Sequence, residues 1–385
     1  MAVEGTMASR SPARIEAELE GGAPKTMRQC VKYSFFRVDV GFRRLPKERQ
    51  RELKLELIDT IRSFRRRMLL RSYSLFGLRG DADFLLWQVA EDIESFNALA
   101  TAIFSTDIGA YLQMPHSFLA MTRKSQYDID VTDEGREADQ LIIQPGDAKY
   151  LFVYPFVKTR AWYALPMQDR QRMMTEHIRV GRRYPSIKLN TTYSFGLDDQ
   201  EFVVAFEGDR LADFLDLVME LRETEASRYT LRDTPTFTCI SMGLAETIDS
   251  IGGEPVADLA GPDQLVESGW VQVLPLRELP AGTAAKVYLG AQLVALFNVD
   301  GTVYATVNRC PHARGPLCEG RVGVTQGRPT VVCPWHHAVF DLEDGRALEG
   351  PVQAPVKTFA VRIGDDGYIY IAERSAVRDL VDVAR

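Results

Sequence analysis

The stretch SYSLFGLRGDADFLLW (72–87) recurs in altered form as TTYSFGLDDQEFVVAF (191–206). Both copies stand in the same surroundings. A leading strand-like run (VKYSFFRVDV, 31–40; KYLFVYPFV, 149–157) and a charged amphipathic helix come first. A second helix and a closing strand-like run (HSFLAMTR, 116–123; TFTCISM, 236–242) follow. The order β-α-β-β-α-β, present twice, predicts a duplicated ferredoxin-like α+β domain over 29–242, with halves at about 30–125 and 147–242. The joint, 128–148, is polar and turn-rich. Residues 243–268 are acidic and rich in Gly and Pro, and read as a linker by composition. From Trp270 the pattern changes to short β-like runs broken by turns, among them the hairpin signals NVDG and GDDG. A small all-β domain is expected over 269–376. Residues 1–28 read as a disordered leader and 377–385 as a tail.

Composition narrows the function. A formal net charge of −7 argues against general nucleic-acid binding, which calls for a basic face. The basic run RSFRRRMLLR (62–71) reads as a solvated helix face. No apolar run reaches the ~18 residues of a membrane-spanning helix, and no hydrophobic signal region opens the chain. Five cysteines, an odd number in a long chain, do not suggest a disulfide framework. The expected compartment is cytoplasmic.

Six of the chain's ten cysteines and histidines lie in CPHARGPLC (310–318) and CPWHH (333–337), and four of them form one pattern. The pattern C-x-H…C-x-x-H puts one Cys and one His on each of two loops: Cys310 with His312, Cys333 with His336. A Rieske [2Fe-2S] centre needs two thiolates on one iron and two imidazoles on the other; a zinc site is the metal alternative. The surroundings, CPHARGPLCEG and CPWHHAVFDLEDGRALEGP, resemble Rieske domains well beyond the four ligands. Rieske domains of the cytochrome bc type carry an extra disulfide-forming cysteine in each loop. Gly315 and Trp335 stand there, so the resemblance is to the soluble type. Cys318 reads as a structural thiol and His337 as a surface neighbour. Such a centre passes single electrons and has no open coordination position, so substrate chemistry belongs upstream.

Upstream, Met173, His177, Val180 and Tyr184 fall on one helical stripe. A lone histidine there reads either as a satisfied core residue or as a ligand. Leu211, Leu215, Val218 and Arg222 make a second stripe that ends in an arginine. That guanidinium calls for an anionic partner, either a ligand or the nearby Glu225. Ser227 follows as a co-donor. A neutral histidine and a part-buried arginine suit a haem with carboxylate substituents.

The segment YLFVYPFVKTRAWYALP…MMTEHIRVGRRYPSIKLNTTYSFGLDDQEFVVAFE…MELRETEASRY resembles the chlorite dismutase family, over roughly 30–242, and within it the coproheme decarboxylases. The resemblance implies haem b or coproheme in the second half, with His177 as axial ligand. It implies Tyr154 as a radical-forming tyrosine, with Lys158 and Arg160 in the same Y-P-x-x-K-x-R segment. It also implies Arg222 and Ser227 at the propionates. True chlorite dismutases place a distal arginine before the GLDD turn, but IKLNTTYSF has none, which leaves Lys188 and Asn190 as polar candidates for the distal side. A further coproheme-contacting arginine is replaced by Gln140.

The implied reaction is oxidative decarboxylation of coproheme propionates to vinyls in haem biosynthesis, using peroxide or O2. The porphyrin is then both substrate and cofactor, and an electron donor that the sequence does not identify must supply the Rieske centre. Family resemblance further implies a homo-oligomer, often a pentamer. Alternative expectations are a haem-dependent reductase of a small oxyanion or nitrogen oxide, and a haem or redox sensor or carrier.

Overall fold

The structure, a computed structural model, describes residues 28–127, 142–260, 266–267, 269–290 and 292–374. Gln140, most of the expected leader and the expected tail fall outside them. In the first half β1 (Cys30–Val38), α1 (Lys47–Ser63), β2 (Leu69–Ser74), β3 (Phe84–Ala90), α2 (Glu94–Ser105) and β4 (Leu112–Met121) follow the expected order. The second half repeats it with β5 (Tyr150–Lys158), α3 (Arg160–Ala164), α4 (Met167–Gly181), β6 (Lys188–Tyr193), β7 (Phe202–Gly208), α5 (Leu211–Glu223) and β9 (Phe237–Met242). A short β8 (Thr230–Arg232) precedes β9. The strand orders, β4-β1-β3-β2 and β6-β7-β5-β9, are the same ferredoxin-like arrangement. The two sheets join through β4–β6 and β2–β9, so eight strands close into a barrel without free edges.

The repeated F-G-L segments are equivalent turns. Phe76 bridges Arg79 and Phe195 bridges Asp198, with Gly77 at φ 76° and Gly196 at φ 73°. A side chain is disfavoured in that left-handed region, which accounts for a glycine in both copies.

Alternation along the strands separates two cores. Val31, Tyr33, Trp87, Leu151, Val153, Val203 and Ala205 fill the barrel. The other face of the second sheet carries Phe152, Tyr154, Val204 and Phe206 beneath the helices. β3 is buried along its whole length because both its faces are covered.

Two sequence expectations need correction. Residues 243–257 are not a linker: α6 (Leu244–Ser250) buries Leu244, Ile248 and the following Ile251 and Val256 in the first half's helical core. Lys54, with no exposed side-chain surface, bonds Asp249 at 3.1 Å and the Glu254 carbonyl at 2.8 Å. Gly and Pro content misled the reading, since the segment's apolar residues are widely spaced. Nor is the run at 62–71 wholly a solvated helix face. The helix ends at Ser63, Arg62 donates to the Ala260 carbonyl, and Arg66 lies 5.6 Å from the Tyr368 ring centre.

The C-terminal domain has a seven-stranded and a four-stranded antiparallel sheet. The first comprises β10 (Val266–Glu267), β11 (Trp270–Pro275), β12 (Ala284–Leu289), β13 (Gln292–Val299), β14 (Thr302–Val307), β19 (Thr358–Ile363) and β20 (Tyr368–Glu373). The second runs β15 (Arg321–Thr325), β16 (Arg328–Val332), β17 (Val339–Asp341), β18 (Ala347–Glu349). Tyr288 and Leu293 join the barrel's core cluster, and Lys286 pairs with Glu91 in the loop after β3. The β-domain is therefore docked on the first half.

Candidate functional site

The loop after β14 carries Cys310 and His312; the loop between β16 and β17 carries Cys333 and His336. The two loops share one backbone design. Cys310 N–H donates to Gly315 O at 2.9 Å and Cys333 N–H to Ala338 O at 2.8 Å. The Cys310 carbonyl accepts from Arg314 and the Cys333 carbonyl from His337. Arg314 (φ 65°) and His337 (φ 56°) both adopt the left-handed region, an unfavourable conformation for such residues that recurs at functional loops. Both cysteines are buried and unbridged. Their sulfurs lie in hydrogen-bond contact. The His312 and His336 rings are 4.6 Å apart between centroids, and both are exposed.

Two thiols side by side and two imidazoles side by side match a two-iron cluster, with one pair per iron. Gly315 is required by close approach: a Cβ there would lie 2.9 Å from Cys333 Sγ and 3.1 Å from the Trp335 ring. A cysteine at that position, as in the disulfide-bearing type, does not fit.

In the barrel domain, α4 buries Met173 and Val180, so its stripe faces inward as expected. His177 Nδ1 lies 3.0 Å from Thr224 Oγ1. Burial first, and then the Lys158 charge, pushes the imidazole's pKa down to about 4, so the ring is neutral at physiological pH. Lys158, at the end of β5, is buried. Its Nζ donates to the Ala226 carbonyl at 2.6 Å and lies 4.5 Å from the Trp162 ring centre. Burial, opposed by Glu201, lowers its pKa to about 8.

Tyr154 is on the same face of β5, four residues and roughly 13 Å from Lys158. It stacks 5.9 Å from Phe206. Its phenol is raised well above the ordinary range by burial and by Asp233, against the opposing pull of Arg222. Arg222 itself is 63% exposed and pairs with Asp233 at 2.7 Å. Ser227 Oγ donates to the Arg222 carbonyl at 2.5 Å. Arg160 begins α3 and is exposed. Lys158 thus groups with His177, and Tyr154 groups with Arg222 and Asp233.

Three expectations are revised by this placement. The α5 stripe of Leu211, Leu215 and Arg222 faces outward, with Leu211 and Leu215 exposed. Phe214, Leu217 and Leu221 make the buried contact, because they fit the aromatic row on the sheet. Arg222 pairs with Asp233, while Glu225 is taken by Arg172. Lys188 and Asn190 are not on the sheet face that α5 covers. Their cross-strand partners are Glu207 and Ala205, on the barrel-interior face. Asn190 Nδ2 bonds the buried Glu207 at 2.8 Å, and Lys188 bonds the Gln144 carbonyl. Alternation puts Leu189 and Thr191 on the helix-covered face instead, in register with Phe206 and Val204. The sequence reading also passed over Thr224 and Asp233, which no periodicity marks. A polar cleft of about 730 Å³ between Arg172, Arg179, Glu223 and Arg228 borders the opposite side of α4 from His177. Its charged lining does not suit a porphyrin.

A neutral imidazole with one nitrogen engaged and one open, an apolar sheet face and a guanidinium at its margin fit an iron porphyrin with carboxylate arms. Fold and sites together define a haem-type barrel joined to a Rieske domain. The comparisons with known proteins agree. The family model for chlorite dismutase matches residues 50–242, and that for the Rieske [2Fe-2S] domain matches 269–360. A coproheme decarboxylase from Mycolicibacterium smegmatis is 35% identical over 170 residues, spanning 43% of this chain and 70% of that protein. One from Staphylococcus carnosus is 29% identical over 166 residues, 40% of this chain and 67% of that protein. A crystal structure of a mutant chlorite dismutase from Candidatus Nitrospira defluvii superposes with a TM-score of 0.53 at 26% identity, covering 58% of this chain and 95% of that one. The chain belongs to the chlorite dismutase family and carries a C-terminal Rieske domain. The cofactors are accordingly haem or coproheme and a [2Fe-2S] cluster. No helix among the described residues is long and apolar enough to cross a membrane.

Proposed function

We propose that this protein decarboxylates coproheme propionates to vinyls in haem biosynthesis, with the Rieske domain connecting that site to an electron donor. The observation that carries the reading is Tyr154, a half-buried phenol on the sheet face under α5, with the Arg222 guanidinium close enough to perturb it. The curated relatives named coproheme decarboxylase support it. The iron porphyrin, when bound, supplies one-electron oxidising power and is also the substrate, and the cluster supplies single electrons.

The residues divide the remaining work. His177, kept neutral, offers Nε2 to iron. Arg222 exchanges its Asp233 partner for a propionate, and Ser227 braces the Arg222 backbone. Arg160, exposed at the margin, is a second candidate for that anion. Tyr154 gives up its phenolic hydrogen atom and regains one from the propionate's β-carbon; loss of CO2 and one further electron leaves the vinyl. For each vinyl formed, one propionate, one peroxide and one proton give CO2 and two waters. With O2 in place of peroxide, two electrons and two more protons are required, a need that the Rieske domain meets. Lys158, beside His177, holds a proton that its depressed pKa makes easy to release. The exposed Leu211, Leu215 and Met219 on α5 support association into a homo-oligomer, a pentamer by family resemblance.

The test is anaerobic mixing of cluster-loaded protein with coproheme, then reductant and air, with mass analysis of the porphyrin. Loss of two carboxyl groups is expected. Tyr154→Phe should bind coproheme normally and lose decarboxylation by at least about 100-fold. Activity surviving that change sinks the mechanism.

A further inference from the structure

We propose that Thr224 positions His177 for iron by fixing which imidazole nitrogen carries the proton, and that it does so as a neutral acceptor. The inference rests on the reading of His177 as axial ligand.

A histidine can bind a metal only through a nitrogen that lacks hydrogen, so the partner of the other nitrogen decides the tautomer. Here that partner is a hydroxyl, which could in principle either donate or accept. A second contact resolves its direction. Thr224 Oγ1 lies 2.7 Å from the Leu221 carbonyl oxygen, which can only accept. The single hydroxyl proton is therefore committed to Leu221, and the oxygen lone pairs face His177 Nδ1 at 3.0 Å. Nδ1 must donate, which leaves Nε2 bare.

Placement supports a dedicated role. Thr224 is 4% exposed, so water does not readily replace it. It stands at the junction of α5 and the 3-10 turn Glu225–Tyr229, a position where threonine commonly caps the following helix with its side chain. That cap is not made here, and the hydroxyl is turned to His177 instead. Two residues on, Ala226 presents its carbonyl to Lys158. One short backbone segment thus holds both His177 and Lys158. A hydroxyl acceptor, unlike a carboxylate, does not draw the Nδ1 proton away. The imidazole stays neutral and is a moderate electron donor to iron rather than an imidazolate-like one.

The full-length chain, labelled with 15N-histidine and free of porphyrin, tests the tautomer directly by two-bond 15N–1H correlation. The His177 signals are assigned by their loss in His177→Ala. Wild type and Thr224→Ser should show Nδ1–H, and Thr224→Val should show a mixture or Nε2–H. An Nε2–H wild type overturns the proposal, and so does a folded Thr224→Val with an unchanged tautomer. If Thr224→Val fails to fold, wild type and Thr224→Ser still decide it. A second readout uses the reduced, coproheme-loaded protein and its iron–histidine stretching band. Wild type and Thr224→Ser should share one frequency and Thr224→Val should shift it; identical bands in all three overturn the proposal. Retention of the band in His177→Ala removes the axial-ligand reading and, with it, this role for Thr224. A porphyrin-free Nδ1–H result would then show only the hydrogen bond.

Discussion

The Lys158 ammonium donates to the Ala226 carbonyl at 2.6 Å and lies 4.5 Å from the centre of the Trp162 ring. A buried cation satisfied by a carbonyl and an aromatic face retains part of its desolvation cost, and the depressed pKa expresses that cost.

The pH consequence has a definite sign. Lys158 titrates at about 8 when folded and near 10.5 when unfolded. Between those values the unfolded chain holds a proton that the folded chain has released, so this group makes stability rise with pH across that window. Below pH 8 its burial cost is fully present. Lys158→Met should therefore stabilise the porphyrin-free protein at pH 7 by about 1–3 kcal/mol, with the gain fading by pH 10. Thermal unfolding of both proteins at the two pH values checks this. A difference that does not change with pH rules it out.

Gly315 gives a test of the cluster loops. Gly315→Ala brings a methyl to 2.9 Å from Cys333 Sγ, so one loop must move. Cluster loading should drop several-fold, read from visible absorption and the electron paramagnetic resonance of the reduced protein. The barrel should still bind coproheme normally. Full loading in the variant would show that the two loops are not held at this spacing.

How far these sites could be read from sequence differs by residue. The cluster ligands are local: each Cys–His pair lies within one turn, so spacing alone locates them. The duplication is equally plain, because a left-handed glycine recurs at the same point of both halves. His177 is marked by an inward helical stripe. The distal side is not legible, since one residue of strand register exchanges the barrel interior for the helix-covered face. Asn190 and Leu189 are neighbours in sequence and lie on opposite faces. Thr224 and Asp233 act through side chains of elements that meet only in three dimensions, and no local pattern encodes that meeting. The segment after Gly243 shows the converse: Gly-rich composition concealed a packed helix.

Tyr288 ties the two domains. It is 6% exposed and belongs to the barrel's core cluster, so Tyr288→Ala leaves a cavity at the interface. The cost should be about 3 kcal/mol, and it should appear in the unfolding of the barrel as well as of the β-domain. Glu91→Gln, which weakens only the partly exposed pair with Lys286, should cost no more than about 1 kcal/mol. Denaturant unfolding of the coproheme-loaded protein, followed by Soret absorption and by cluster absorption, separates the two domains. An effect of Tyr288→Ala confined to the cluster signal would show that the domains unfold independently.

The assignment of sheet faces predicts opposite behaviour for two adjacent residues. Leu189 is 51% exposed and in register with Phe206, on the sheet face that carries Tyr154. A porphyrin seated against that face would have a guanidinium at position 189 within reach. At an effective dielectric of ~20, a charge several ångströms away contributes on the order of 1–3 kcal/mol to an anion. Leu189→Arg should tighten cyanide or azide binding to the haem-loaded protein by roughly tenfold or more. Asn190→Ala should leave that affinity unchanged and instead destabilise the barrel by about 1–2 kcal/mol, because Glu207 loses a buried donor. Soret titrations with the anion and thermal unfolding of both variants decide the matter. Tighter anion binding governed by position 190 rather than 189 would reverse the assignment of faces.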